Sequence, residues 1–144
     1  MPNLTITSEP YATESDIEVV EDAVNQFNVV VTGDTSYSPV RLFLRDEHGR
    51  VLGGLLGDIW GGWMHIGFLW VHESLRGQGH GTHLLQSGEA EARAHGCRAV
   101  KLDTFSFQAR PFYERHGYEV FAELPGFPER HTFYYLRKML EPSN

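Results

Sequence analysis

At 144 residues, 41% apolar and 22% charged, the chain suits one domain spanning 1–144 with an ordinary core, and these proportions exclude disordered and fibrous classes. Nineteen acidic residues against 12 basic ones give a formal charge of −7 with no cluster of five or more Lys or Arg, which argues against nucleic acid and anionic membrane as partners. Such a field suits a cationic small molecule, or simply keeps the protein soluble. The single cysteine, Cys97, excludes an internal disulfide and fits a reducing cytoplasm. The start, Met1-Pro2-Asn3-Leu4-Thr5, lacks the pattern of a signal peptide, and no stretch approaches the length of a membrane span, so a soluble cytoplasmic protein is expected.

Leu4 to Thr7 alternates apolar and polar and predicts a short first strand. Thr13 then suits the cap of a helix with Glu14 and Asp16 in its first turn and Ile17, Val20, Val24 and Phe27 at helical spacing. Gly33 to Pro39 is turn-rich. Val40 to Asp46 and Arg50 to Trp60 read as strands joined by Glu47-His48-Gly49, and Gly61-Gly62 returns the chain into a third strand, Trp63 to Val71. Gly53, Gly54 and Gly57 inside the second strand point to a bulge or a close backbone approach. After a glycine-rich turn, Leu84, Leu85, Gly88, Ala90, Ala92 and Ala94 form a helix face ending near His95-Gly96. Ala99 to Phe105 is the next strand, and the strand, helix, strand order demands a right-handed crossover with parallel neighbours. A short helix over Ala109 to His116 and closing strands Tyr118 to Phe121 and Thr132 to Leu140 complete an α+β or α/β chain. Its sheet is mixed and mostly antiparallel, with about six or seven strands expected and helices on both faces.

The stretch Leu69 to Leu85 carries the strongest chemical signal. Gly77, Gly79 and Gly81 free successive backbone N–H groups to converge on an anion at a helix N-terminus. A Walker loop is excluded because its Lys and spacing are missing, and a dinucleotide fingerprint because its third glycine position is Leu84.

Arg76-Gly77-Gln78-Gly79-His80-Gly81 matches Gln/Arg-x-x-Gly-x-Gly/Ala. Preceded by Leu69-Trp70-Val71 and followed by an amphipathic helix, it resembles the acetyl-CoA pyrophosphate loop of the GNAT family of N-acetyltransferases. Ala109-Arg110-Pro111-Phe112-Tyr113-Glu114-Arg115-His116-Gly117-Tyr118 is similar to that family's later motif, Ala-x-x-Phe-Tyr-x-x-x-Gly-Phe/Tyr. The resemblance implies a GNAT-type sheet in which the strand of Leu69 and Val71 splays from that of Leu102 to Phe105 to admit pantetheine. Main chain at Leu69, Trp70 and Val71 would then contact pantetheine, and the amides of Gly77, Gln78, Gly79, His80, Gly81 and Thr82 would hold pyrophosphate beside Arg76. Ser106 stands where many members have asparagine near the cofactor.

The implied activity is acetyl transfer from acetyl-CoA to an amine, by direct transfer in a ternary complex, with a small molecule favoured as acceptor. A non-catalytic acyl-CoA sensor is the competing class. Tyr113 matches the family's frequent general acid, and Glu73, directly after the cofactor strand, ranks first as base ahead of Asp58, Asp103 and His72; the family often has proline at the Glu73 position. Cys97 is poorly placed for a covalent intermediate. His80 and His83 lack a third ligand, so no metal is expected. Trp60 to Trp63, the region of Tyr37, and a lid of Phe127 and Arg130 are the expected determinants of acceptor choice. The aromatic run Thr132-Phe133-Tyr134-Tyr135 fits either a homodimer seam or core.

Overall fold

The computed structural model describes residues 2–141. They fall into two compact units, one ending at Thr35 and one beginning at Ser36. The first unit holds helix α1 (Glu14–Thr32). Thr13 caps it, accepting the Asp16 N–H at 3.3 Å, and Gly33 ends it in the left-handed region with φ 71° and its N–H bonded to the Val29 carbonyl. The apolar stripe of Ile17, Val20, Val24 and Phe27 forms as its spacing predicts, but all four side chains are exposed. The strand expected over Leu4 to Thr7 does not form. Leu4 and Ile6 are exposed, and the Thr7 hydroxyl instead bonds the Glu9 carboxylate, a local alternative to a ladder.

The second unit is a mixed sheet of six strands among the described residues, in the order β1-β2-β3-β4-β6-β5. β1 (Ser38–Arg45), β2 (Val51–Trp60) and β3 (Trp63–Val71) form the expected meander. Helix α2 (His80–Ala94) crosses to β4 (Ala99–Phe105), which lies parallel to β3. A short helix α3 (Arg110–Arg115) leads to β5 (Glu119–Pro125) and β6 (Thr132–Met139). β6 inserts between β4 and β5, so both its edges are paired and its run from Thr132 to Tyr135 is half-buried sheet interior.

α2 covers one face of this sheet. Leu84, Leu85, Gly88 and Ala92 are buried as expected, whereas Ala90 and Ala94 point to solvent. Leu55, Met64, Leu85 and Leu136 are fully buried, each worth about 1.5–3 kcal/mol relative to exposure. Gly88 lets α2 approach closely, since a Cβ there would lie 2.9 Å from Leu55 Cδ1. The same layer buries Glu89, whose carboxylate accepts the Tyr118 hydroxyl at 2.7 Å and both oxygens of which lie 3.1 Å from Lys138 Nζ.

One irregularity in β3 governs the site. Leu56 pairs with Phe68 but Gly57 pairs with Ile66, so Gly67 is an inserted residue. Before it, Met64 and Ile66 face the core; after it, Leu69 packs on the core while Phe68 and Trp70 turn outward. The parity of the strand flips at the bulge, which also bends and twists it. On the neighbouring strand, Gly57 is required: a Cβ there would lie 2.6 Å from the His65 carbonyl oxygen.

Candidate active site

β3 and β4 pair only from Trp63–Ala99 to Ile66–Leu102, and the Gly67 bulge begins where that pairing stops. The strands then part around a cleft of about 150 Å³ lined by Ile66 to Leu69, Asp103, Thr104, Gln108, Ala109 and Tyr113. The splay that the family resemblance implies is therefore present, and its physical origin is the bulge. Thr104 and Gln108 brace its far wall. Gln108 Oε1 accepts the Phe105 N–H at 2.9 Å and lies 3.4 Å from the Thr104 hydroxyl, and its NH₂ has no hydrogen-bond partner among the described residues.

Tyr113 is 7% exposed and belongs to the core cluster, yet its hydroxyl has no hydrogen-bond partner among the described residues. Burial, with a smaller contribution from the Asp103 carboxylate, pushes its pKa up to about 12. It is therefore a protonated phenol throughout the neutral range, held at the wall of the cleft.

At one end of β3 lies a second cavity, of about 300 Å³, built on the glycine turn. Gly77 and Gly79 take φ of 76° and 86°, conformations that cost other residues about 1–2 kcal/mol. Gly81 lies within the first turn of α2 with ordinary φ, and a Cβ there would merely touch Phe112. Gly79 supplies no side-chain cap, and the first N–H groups of a helix have no intrahelical partner, the arrangement an anion site uses. Arg76 Nε donates to the Val71 carbonyl at 3.1 Å, tying the turn back to β3, and Arg76 and Arg115 both line the cavity. Behind Thr82, another lining residue, stands His116. Its Nδ1 lies 3.0 Å from the Phe112 carbonyl, which can only accept, so Nδ1 carries hydrogen and Nε2 meets the Thr82 hydroxyl at 3.0 Å.

The sheet face away from α2 carries a third cavity of about 500 Å³, lined by Asp58, Trp60, Gly61, Trp63, His65, Lys101, Phe121 and Arg137. Trp60 and Trp63 are paired across the β2–β3 turn, and Lys101 pairs with both His65 and Arg137 on its two neighbouring strands. Phe121 is the extra residue of a bulge in β5, between Val120 and Ala122. Asp58 accepts a short hydrogen bond from the Tyr37 hydroxyl, which raises the Tyr37 pKa. His65, which lines this cavity, and Asp103, which lines the cleft, approach to 3.8 Å between Nε2 and Oδ2.

Of the residues singled out from sequence, Leu69 and Tyr113 line the cleft, and Val71, Arg76, Gly77, Gly79, His80, Gly81 and Thr82 line the turn cavity. Gln78, Trp70, Glu73 and Ser106 line none of these three cavities. The Gln78 amide reaches back to the Ser74 carbonyl at 3.4 Å, and Trp70 is exposed, edge-on to His72. Glu73 is exposed on the 3₁₀ turn Glu73–Leu75, which His72 caps through Nδ1. Ser106 is bonded to Thr132, its Oγ accepting the Thr132 N–H at 3.0 Å. Phe127 stacks on Phe105 and packs on Phe133 rather than standing over a cavity. Arg115, Gln108, His65, Lys101 and Arg137 carry no signal of their own in the sequence. Arg115 lies inside a motif already recognised, and the others need the strand pairing to be known. Among the described residues no three His, Cys, Asp or Glu side chains gather as metal ligands, and no helix is long and apolar enough to cross a membrane.

Residues 5–118 match the acetyltransferase (GNAT) family. The blasticidin-S acetyltransferase of Streptomyces morookaense is 40% identical over 95 residues, covering 65% of this chain and 70% of that protein. An acetyltransferase of Agrobacterium fabrum is 30% identical over 84% of this chain and 88% of its own. Among solved structures, an acetyltransferase from Bacillus cereus superposes with a TM-score of 0.81 at 34% identity, over 93% of this chain and 98% of that one. The chain belongs to the acetyltransferase (GNAT) family and is an acyltransferase.

Proposed function

We propose that this enzyme transfers an acetyl group from acetyl-CoA directly to the amine of a small molecule bound at the same time. The observation that carries the reading is the line of three spaces along β3: a phosphate-type turn at Val71, a narrow cleft at Ile66 to Leu69, and a wide cavity at Trp63 and His65. Amides of the turn, with Arg76 and Arg115, are suited to the pyrophosphate of CoA. The cleft, with free strand edges and the Gln108 NH₂, is suited to the amide-bearing pantetheine arm, which can pair with it as an added strand. A thioester at the inner end of the cleft would then meet an amine entering from the wide cavity.

The chemistry balances with groups on the chain. The ammonium loses one proton, the amine nitrogen bonds to the thioester carbonyl carbon, the C–S bond breaks as the departing thiolate takes the Tyr113 proton, and the attacking nitrogen gives up its second proton to restore the Tyr113 phenol, so that one proton passes to solvent overall. Proton removal falls to His65, beside Asp103, because the pair joins a residue lining the wide cavity to one lining the cleft. Glu73, expected from its sequence position, is exposed and lines neither of them.

Cys97 supports the absence of a covalent intermediate. It is buried in the core cluster, and burial pushes its thiol pKa up, the opposite of what a nucleophile needs. Initial rates measured against both substrates test the direct route: intersecting double-reciprocal lines and full activity of Cys97→Ala are expected. Parallel lines, with activity lost in Cys97→Ala, would establish a covalent acetyl-enzyme instead.

A further inference from the structure

The wide cavity carries a charge pattern that the fold itself does not need. Lys101 and Arg137 are directly opposite each other on β4 and β6, a cross-strand pairing of like charges that destabilises a sheet. Arg137 is partly compensated by Glu119 at 3.1 Å and lies 5.2 Å over the Phe121 ring. Lys101 has no carboxylate within 4.0 Å among the described residues. Two cations therefore stand together on the floor of a cavity of about 500 Å³, a size typical of small-molecule sites.

The remaining lining has the opposite character. Trp60, Trp63 and Phe121 supply broad aromatic surface. Asp58, held by Tyr37, supplies a fixed acceptor, and His65 with Asp103 marks the side from which the amine must reach the cleft. Lys101 and Asp103 are two residues apart on one strand, roughly 7 Å. An anion on Lys101 and Arg137 is thus within one small molecule's length of an amine at His65.

We infer that the acceptor is an amine that also carries a carboxylate, on a body with a flat apolar face: the carboxylate sits on Lys101 and Arg137, the flat face on the tryptophans, and the amine beside His65. This rests on the acetyl-transfer reading and names the substrate class of the same site. A simple polyamine would offer Lys101 no counter-charge and would be repelled by both cations.

The test uses matched acceptors in a CoA-release assay with the full chain: aromatic amino-carboxylates, each against its carboxamide and its counterpart lacking the carboxylate, with polyamines alongside. The expected result is a kcat/KM at least tenfold higher for the carboxylates. In the double variant Lys101→Gln, Arg137→Gln that preference should vanish through a higher KM for the carboxylates. A thermal melt supplies an independent check. Lys101→Gln alone should leave Tm unchanged or raise it, because it removes a like-charge pair; a fall in Tm would give Lys101 a structural role and overturn the inference drawn from its placement. Neutral amines or polyamines turned over as well as the carboxylates, or a preference that survives the double variant, would overturn the inference while leaving acetyl transfer intact. No CoA release with any amine would instead remove the acetyl-transfer reading on which it rests.

Discussion

Nε2 of His65 lies 3.8 Å from Oδ2 of Asp103, on adjacent parallel strands at the point where those strands cease to pair. The two residues are far apart in sequence and neither belongs to a recognisable motif. They meet because the register sets His65 opposite Lys101 and Ile66 opposite Leu102, which places Asp103 first beyond the ladder.

Replacing His65 with Gln or Asp103 with Asn should each lower kcat by about 10²-fold, the usual contribution of a positioned base. Glu73→Gln should leave kcat within about twofold, because Glu73 is exposed away from the cleft. Steady-state rates at saturating substrates decide between the two positions. A large loss in Glu73→Gln with little change in the other two would return the base to Glu73.

Tyr113→Phe should reduce kcat by about 10²-fold with little effect on acetyl-CoA binding. Because burial holds the Tyr113 pKa up to about 12, the phenol keeps its proton well above the ordinary tyrosine pKa of about 10. The rate should therefore show no alkaline decline from this group until the pH nears 12. The same shift has a stability consequence: the unfolded chain loses this proton first, so the contribution is present in full below about pH 10 and is lost as pH rises toward 12. Denaturant titrations between pH 8 and 11 should show stability falling above pH 10 in the wild type and less so in Tyr113→Phe.

In the glycine turn, Arg115→Gln should weaken acetyl-CoA binding by about 5- to 10-fold and flatten its salt dependence, with kcat unchanged, since a guanidinium beside phosphate acts on binding alone. Gly79→Ala should weaken binding more, because a φ of 86° costs alanine about 1–2 kcal/mol and its relaxation would misalign the first amides of α2. Isothermal titration with acetyl-CoA measures both.

Lys138→Met should destabilise the fold by about 3 kcal/mol, since it strands the buried Glu89 carboxylate with only the Tyr118 hydroxyl as partner. Equilibrium denaturation would read this directly. The combined Glu89→Leu, Lys138→Met variant should recover much of the loss, as the buried charge is then gone.

What is legible in the sequence is whatever depends on local chemistry. Thr13, Gly33 and the Glu47-His48-Gly49 turn mark element ends because caps and turns are short-range, and Gly77 and Gly79 mark the turn before α2 because only glycine takes their φ without cost. The close approach predicted for Gly57 has its cause in the His65 carbonyl. What is not legible depends on register. Gly67 gives no signal as an inserted residue until its partner strand is aligned, yet its insertion turns Leu69 rather than Phe68 toward the core and opens the cleft. Lys101 and Arg137 look like ordinary surface cations until β6 is found between β4 and β5. Ser106 stands in the cofactor region by its sequence position, but its hydroxyl is taken by Thr132 and Gln108 reaches the cleft instead.

On the proposed route, acetyl-CoA held along β3 is attacked by an amine arriving from the wide cavity. The decisive assay follows free thiol released on mixing enzyme and acetyl-CoA, with and without an acceptor panel. Release that depends on the amine and matches the acetylated product mole for mole is the predicted result. Acetyl-CoA that binds but yields no amine-dependent thiol across the panel would contradict it.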